Sequence, residues 1–209
     1  GRVVFVISEK CSVLLEPACR MLALCNQLSD GGKSVTIDFT ACSSALKYLD
    51  RAGFFDSLGS SCAVLPKRPK SSRAKKYKGN SGNLVEFGLI DPASGEDDLN
   101  ESDKNLVNQL TESFVKLVDK DYEEVASVIF AELIGNIKRH SQSELQGIAG
   151  LQRYTGRRQH IQTIVSDSGV GIATTLKTGL ETHYPDLYKK REQDDYDLFI
   201  VEAALTKGE

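Results

Sequence analysis

The chain has no apolar run approaching the roughly 20 residues of a membrane span, and its first residues do not read as a secretory signal peptide. It lacks a Cys-x-x-Cys pair, and its five cysteines, Cys11, Cys19, Cys25, Cys42 and Cys62, are odd in number. Such a set implies neither a disulfide framework nor a zinc site; reduced, mostly buried thiols in a cytoplasmic protein are expected. An excess of charge is missing too. With 26 basic and 29 acidic residues the formal charge is -3, too small to imply a nucleic-acid partner for the chain as a whole. What is present is 209 residues with 40% hydrophobic content, enough for one large or two small domains with cores of their own.

The first part of the chain alternates strand and helix patterns. Strands are expected at Val3 to Ile7, Ser34 to Phe39 and Cys62 to Leu65, with helices at about Pro17 to Ser29 and Ser43 to Ala52. This order predicts an α/β unit with helices packed on a small sheet. Gly32-Lys33-Ser34 looks like the end of a P-loop, but the earlier glycine that motif needs would fall at Gln27, so the tripeptide reads as a turn into a strand. Between Lys67 and Lys78 seven cations occur with no acid among them, a pattern that reads as a mobile solvated loop, with phosphate or acidic-partner binding as the alternative. A short strand at Leu84 to Phe87 precedes the acidic, turn-rich stretch Asp91 to Asp98. The domain boundary is placed there, giving units of 1–92 and 93–209.

The second part opens with an apolar helix pattern from about Asp103 to Val118, followed by a second from about Asp121 to His140. In the latter Val125, Ile129, Leu133 and Ile137 recur every four residues and predict a buried stripe. Glu132, Asn136 and His140 repeat at the same spacing and form a polar stripe beside it. A cleft at that seam could hold a hard divalent cation on the Asn136 oxygen, with Glu132 one turn earlier placed to accept a proton. The same spacing also describes the wet edge of an ordinary amphipathic helix. Gly147 to Tyr154 and Gln159 to Val165 read as antiparallel strands, and the second runs into Asp167-Ser168-Gly169-Val170-Gly171. Glycines there allow close approach of backbone to a ligand, and a carboxylate at a strand end can accept from an exocyclic amino group. Asp-Ser-Gly is also a common turn signal.

In this order, Glu132 to His140 and Asp167 to Ile172 resemble the N-box and first glycine box of the GHKL ATPase superfamily, which includes histidine kinases, gyrase-type topoisomerases, mismatch-repair ATPases and the anti-sigma serine kinases. The Glu-x-x-x-Asn-x-x-x-His form is most similar to that of the anti-sigma kinases. The resemblance implies a two-layer α/β sandwich of the Bergerat type that binds ATP and Mg. It further implies Glu132 as general base, Asn136 as Mg ligand, Arg139 near the phosphates, Asp167 as the adenine-reading carboxylate, and Gly169 and Gly171 as the turn around the base. Ile137 stands where the family usually has a small residue, and the chain ends at Glu209 before any glycine-rich lid motif, so a truncated domain is expected.

Val35 to Thr40, Ser43 to Leu49 and Ala52 to Phe55 resemble a STAS domain, the fold of anti-sigma factor antagonists. Cys42-Ser43-Ser44-Ala45-Leu46 lacks the aspartate and glycine of the antagonists' phosphorylated motif. Ser43 or Ser44 remains a possible acceptor, with helix capping as the alternative. The combined expectation is α/β throughout: a STAS-like domain followed by a GHKL domain, in a Mg-ATP-binding signalling protein with a protein partner. The γ-phosphoryl group would pass to water or to a protein side chain. An ATP-gated interaction switch and a DNA-linked ATPase are the alternatives.

Overall fold

The computed structural model describes residues 1–92, 99–189 and 195–207, and Ala93 to Asp98 of the expected linker lie outside it. Among the described residues the protein is mixed α/β, with two three-stranded sheets. In the first sheet β1 (Arg2–Val6), β2 (Ser34–Asp38) and β3 (Ala63–Leu65) run parallel, with Arg2 opposite Ser34 and Thr36 opposite Ala63. Parallel neighbours need crossover connections. These are α1 (Leu15–Asp30) between β1 and β2, and α2 (Ser43–Ala52) with the short α3 (Phe54–Ser57) between β2 and β3. Gly32 and Lys33 lie in the turn between α1 and β2 and Ser34 opens the strand, as the reading of that tripeptide required.

The second sheet is antiparallel, in the order β4 (Leu84–Ile90), β5 (Gly147–Tyr154), β6 (His160–Ser166). Its middle strand is the one whose limits were legible to the residue. Strand β4 precedes the expected boundary and β5 follows it. Apolar residues of both classes of face explain why the sheet is covered twice. Leu84, Phe87 and Ile148 join Leu15, Leu22, Ile37, Leu49 and Phe54 in one core, while Val85, Ile90, Ala149 and Leu151 join Leu106, Leu110, Phe130 and Ile134 in another. The second core lies under α5 (Glu101–Leu117) and α6 (Glu123–His140), which are joined through a 3-10 turn at Lys120–Tyr122.

Helix α1 begins without a side-chain cap of its own. Its first amides are taken by the second sheet instead: Leu15 N donates to the Tyr154 hydroxyl at 2.7 Å and Glu16 N to Gln162 Oε1 at 3.3 Å. Helix α5 is capped locally by a reciprocal pair. Asn100 Oδ1 accepts from Asp103 N, and Asp103 Oδ2 accepts from Asn100 N. The same Asp103 oxygen meets Lys138 Nζ of α6 at 2.9 Å, with both side chains sealed from solvent at 2% and 0% exposure.

The stripe expected to be buried on α6 is corrected. Val125, Ile129 and Leu133 are 56%, 50% and 43% exposed, and the buried face consists of Ala126, Phe130, Ile134, Ile137 and Lys138. The basic stretch is also held rather than loose. It contains α4 (Arg73–Lys76), whose capping Ser72 donates to Asp56, while Arg73 N donates to Asp50 Oδ1 at 3.2 Å and Arg51 Nη2 to Tyr77 O at 3.0 Å. All five cysteines are free, and burial pushes the Cys19 and Cys25 thiols up to about 11 and about 12. Among the described residues no helix is long and apolar enough to cross a membrane.

Candidate functional site

The C-terminal half of α6, the end of β6 and the start of α7 (Ile172–His183) enclose an open groove of about 510 Å³. Leu133, Ile137, Val165, Ile172 and Leu176 give it an apolar lining, and Asn136, His140, Asp167 and Thr175 supply the polar groups. A mostly apolar wall with a few converging polar atoms is the usual form of a small-molecule site. Strand β6 delivers Asp167 because its register with β5 ends at Ser166, opposite Ile148. The chain then turns: Asp167 Oδ1 accepts the amide of Gly169 at 3.2 Å.

Gly169 is fixed by contact. A Cβ at that position would lie 2.3 Å from the Ser141 carbonyl oxygen and 2.6 Å from its Cα. This closeness lets Val170 N donate to Ser141 O at 2.9 Å, which pins the loop to the end of α6. Gly171 is required for a different reason. Nothing crowds it, but its φ of 81° and ψ of 153° fall in a region essentially reserved for glycine. From there its carbonyl accepts Thr175 N at 3.2 Å and opens α7, with the Thr175 hydroxyl also donating to it at 3.2 Å.

Of the residues expected to form a site, Asn136, Asp167 and Gly171 line the groove together. Gly169 lies behind it, packed on Ser141. Glu132 and Arg139 lie beside the groove and not in its lining. Arg139 folds back along α6 over Gly135, with Nη2 at 3.3 Å from Glu132 Oε2 and 3.2 Å from Asn136 Oδ1. The amide oxygen that could serve a cation is thus held by a guanidinium. Glu132 is solvent-facing, its side chain 67% exposed.

His140 and Thr175 line the groove as well. The four-residue spacing from Asn136 already placed His140 on that edge of α6; Thr175 had no comparable signal, since its position depends on how the glycine turn launches α7. Ser141 is a further residue that the pattern left out. Its hydroxyl is buried and has no hydrogen-bond partner. Among the described residues no group of three or more His, Cys, Asp or Glu could hold a metal. A cation here would depend on Asn136 and on oxygens brought by a ligand.

The start of α2 has its own arrangement. Cys42, not a serine, occupies the capping position, without a side-chain cap bond to the helix, so capping does not account for Ser43 or Ser44. Hydrogen bonding with the Ser44 hydroxyl holds the Cys42 thiol below its usual range. Both serines are exposed. No known protein family, curated protein or solved structure matches this chain.

Proposed function

We propose that the groove between α6 and the Asp167 loop binds a Mg-nucleotide, in the manner of the GHKL ATPases that the two motifs resemble, beside a STAS-like unit formed by β1 to β3 and their helices. The observation that carries this reading is the meeting of Asn136 with Asp167 and Gly171, from a loop that begins 31 residues later, on one groove with an apolar lining. Leu133, Ile137, Val165, Ile172 and Leu176 suit an adenine ring, and the uncommitted Asp167 Oδ2 can accept from its amino group. Asn136 would contribute its oxygen to Mg once Arg139 turns toward phosphate, with phosphate oxygens and waters completing the shell. Bound Mg would neutralise charge on the transferred phosphoryl group. The chain's own contribution would be to orient the base and keep water from the apolar end. A protein would be the signalling partner.

Thermal unfolding with and without Mg-ATP and Mg-ADP tests the site. Ligand at 100 times its dissociation constant adds about 2.7 kcal/mol, expected to raise the midpoint of a chain this size by roughly 5 to 10 °C. Asp167→Asn, which converts an acceptor oxygen into a donor, is expected to remove the shift. No shift with the parent chain would sink the reading.

A second reading, an ATP-gated interaction switch with negligible turnover, is favoured by one observation: Glu132 is ion-paired, exposed and outside the groove lining. Glu132→Gln separates the two. As a general base Glu132 is worth roughly 100-fold or more in rate, so phosphoryl transfer should drop by that factor with nucleotide binding retained. In a switch the variant has little functional effect.

A further inference from the structure

Beside β4, and sharing no lining residue with the groove of α6, lies a second cleft of about 470 Å³ between α4 and α5. One wall is the basic ridge, represented by Lys75 and Lys78; the other presents Ser102, Asn105 and Gln109 from one face of α5. The two carboxylates in the lining are already neutralised, Asp56 by Lys75 at 3.7 Å and Glu86 by Arg51. Lys67, Lys70, Arg73, Lys76 and Lys78 pair with no carboxylate among the described residues. The hydrogen bonds that anchor α4 fix the backbone that carries Arg73, Lys75 and Lys76 before any partner arrives, so only the side chains remain to be ordered on binding.

We propose that this cleft binds single-stranded nucleic acid, with the ridge lysines on the phosphates and Ser102, Asn105 and Gln109 hydrogen-bonding to sugar or base edges. Three features select this partner. A carboxylate-rich peptide is met best by the arginine fork, but neither ridge arginine lines the cleft: Arg68 Nη2 donates to the carbonyls of Leu58 and Gly59, and Arg73 lies over the Tyr77 ring. What is left is ammonium groups, point charges suited to phosphate. A lipid bilayer presents a plane, which cannot enter a cleft. Finally, Tyr77 stands on the ridge as an exposed ring steadied by Arg73 and Lys76, at 5.9 and 5.3 Å from its centre, and offers a surface for one base.

The test is fluorescence anisotropy of the full chain with a labelled 12-nucleotide single strand, alongside the matching duplex, polyglutamate and phosphatidylserine vesicles. Binding is expected at 50 mM salt. If four phosphates are contacted, affinity falls roughly 50-fold on raising salt to 200 mM. The double charge reversal Lys76→Glu/Lys78→Glu should weaken binding at least tenfold without moving the thermal midpoint. Asn105→Ala/Gln109→Ala should weaken it several-fold with the salt slope unchanged. The proposal is overturned by absence of binding at 50 mM salt, by indifference to both double variants, or by duplex, polyglutamate or vesicles binding as well as the single strand.

Discussion

Lys138→Met is expected to lower the unfolding free energy by about 3 to 5 kcal/mol, the loss typical when one member of a buried ion pair is removed. Lys138 is fully buried on α6, and its ammonium is held by Asp103, whose own oxygen also closes the cap of α5. Without Lys138 the carboxylate stays in the core with its charge unmatched, and it cannot leave without opening the first turn of α5. For a chain of 209 residues the loss corresponds to a fall of roughly 10 °C in the midpoint, read by thermal or denaturant unfolding. Asp103→Leu combined with Lys138→Met is the discriminating partner experiment. Replacing both members with apolar groups removes the unmatched charge, so the double variant should recover part of the loss even though the cap is gone. A double variant as unstable as the two singles summed would mean that the pair does not act as a unit.

Gly169→Ala is expected to be the most damaging change in the groove. The new methyl would overlap the backbone of Ser141, and neither atom can rotate away. The loop must lift, the bond from Val170 N to Ser141 O must break, and Asp167 moves with it. Overpacking of this kind costs about 3 kcal/mol or more, and ligand-induced stabilisation should vanish together with the fall in midpoint. Gly171→Ala meets no such collision, and backbone strain alone should cost about 1 to 3 kcal/mol. Gly156→Ala, where an added methyl meets nothing, should stay within about 0.5 kcal/mol of the parent. If Gly169→Ala proved as mild as Gly156→Ala, the packing of the loop on Ser141 would be refuted.

Periodicity made most elements legible, and its failure on α6 has a geometric cause. A four-residue step advances about 400° around a helix, so each repeat drifts by about 40°. Over the three steps from Val125 to Ile137 the drift reaches about 120°, a third of the circumference, and one stripe cannot hold all four residues. Ile137 is buried and Val125 faces out. The face that packs begins one residue later, at Ala126, Phe130 and Ile134, and corrects its drift with a three-residue step to Ile137. Small Ala126 is a weaker apolar signal than valine and isoleucine, although a small residue lets the helix approach its neighbour.

The candidate site was legible in part for a similar reason. Asn136, His140 and Asp167 occupy positions that local spacing decides, on a helix edge and at a strand end. Glu132 and Arg139 share that helix, but their side chains are long enough for ion pairing to decide where they rest. No local rule places Thr175, or the α4 anchors that turn a run of cations into a fixed ridge. Asp50 and Asp56 reach that ridge from the α2–α3 region, and sequence spacing carries no record of such contacts.

The borrowed cap of α1 bears on how the molecule comes apart. The amides of Leu15 and Glu16 are shielded by side chains on β5 and β6, and the gap between donor and acceptor is most of the chain's length. In hydrogen-exchange labelling, these two amides would therefore report not on the helix that contains them but on the opening of the remote hairpin. A polypeptide ending at residue 92 would exchange at both positions as freely as a frayed peptide.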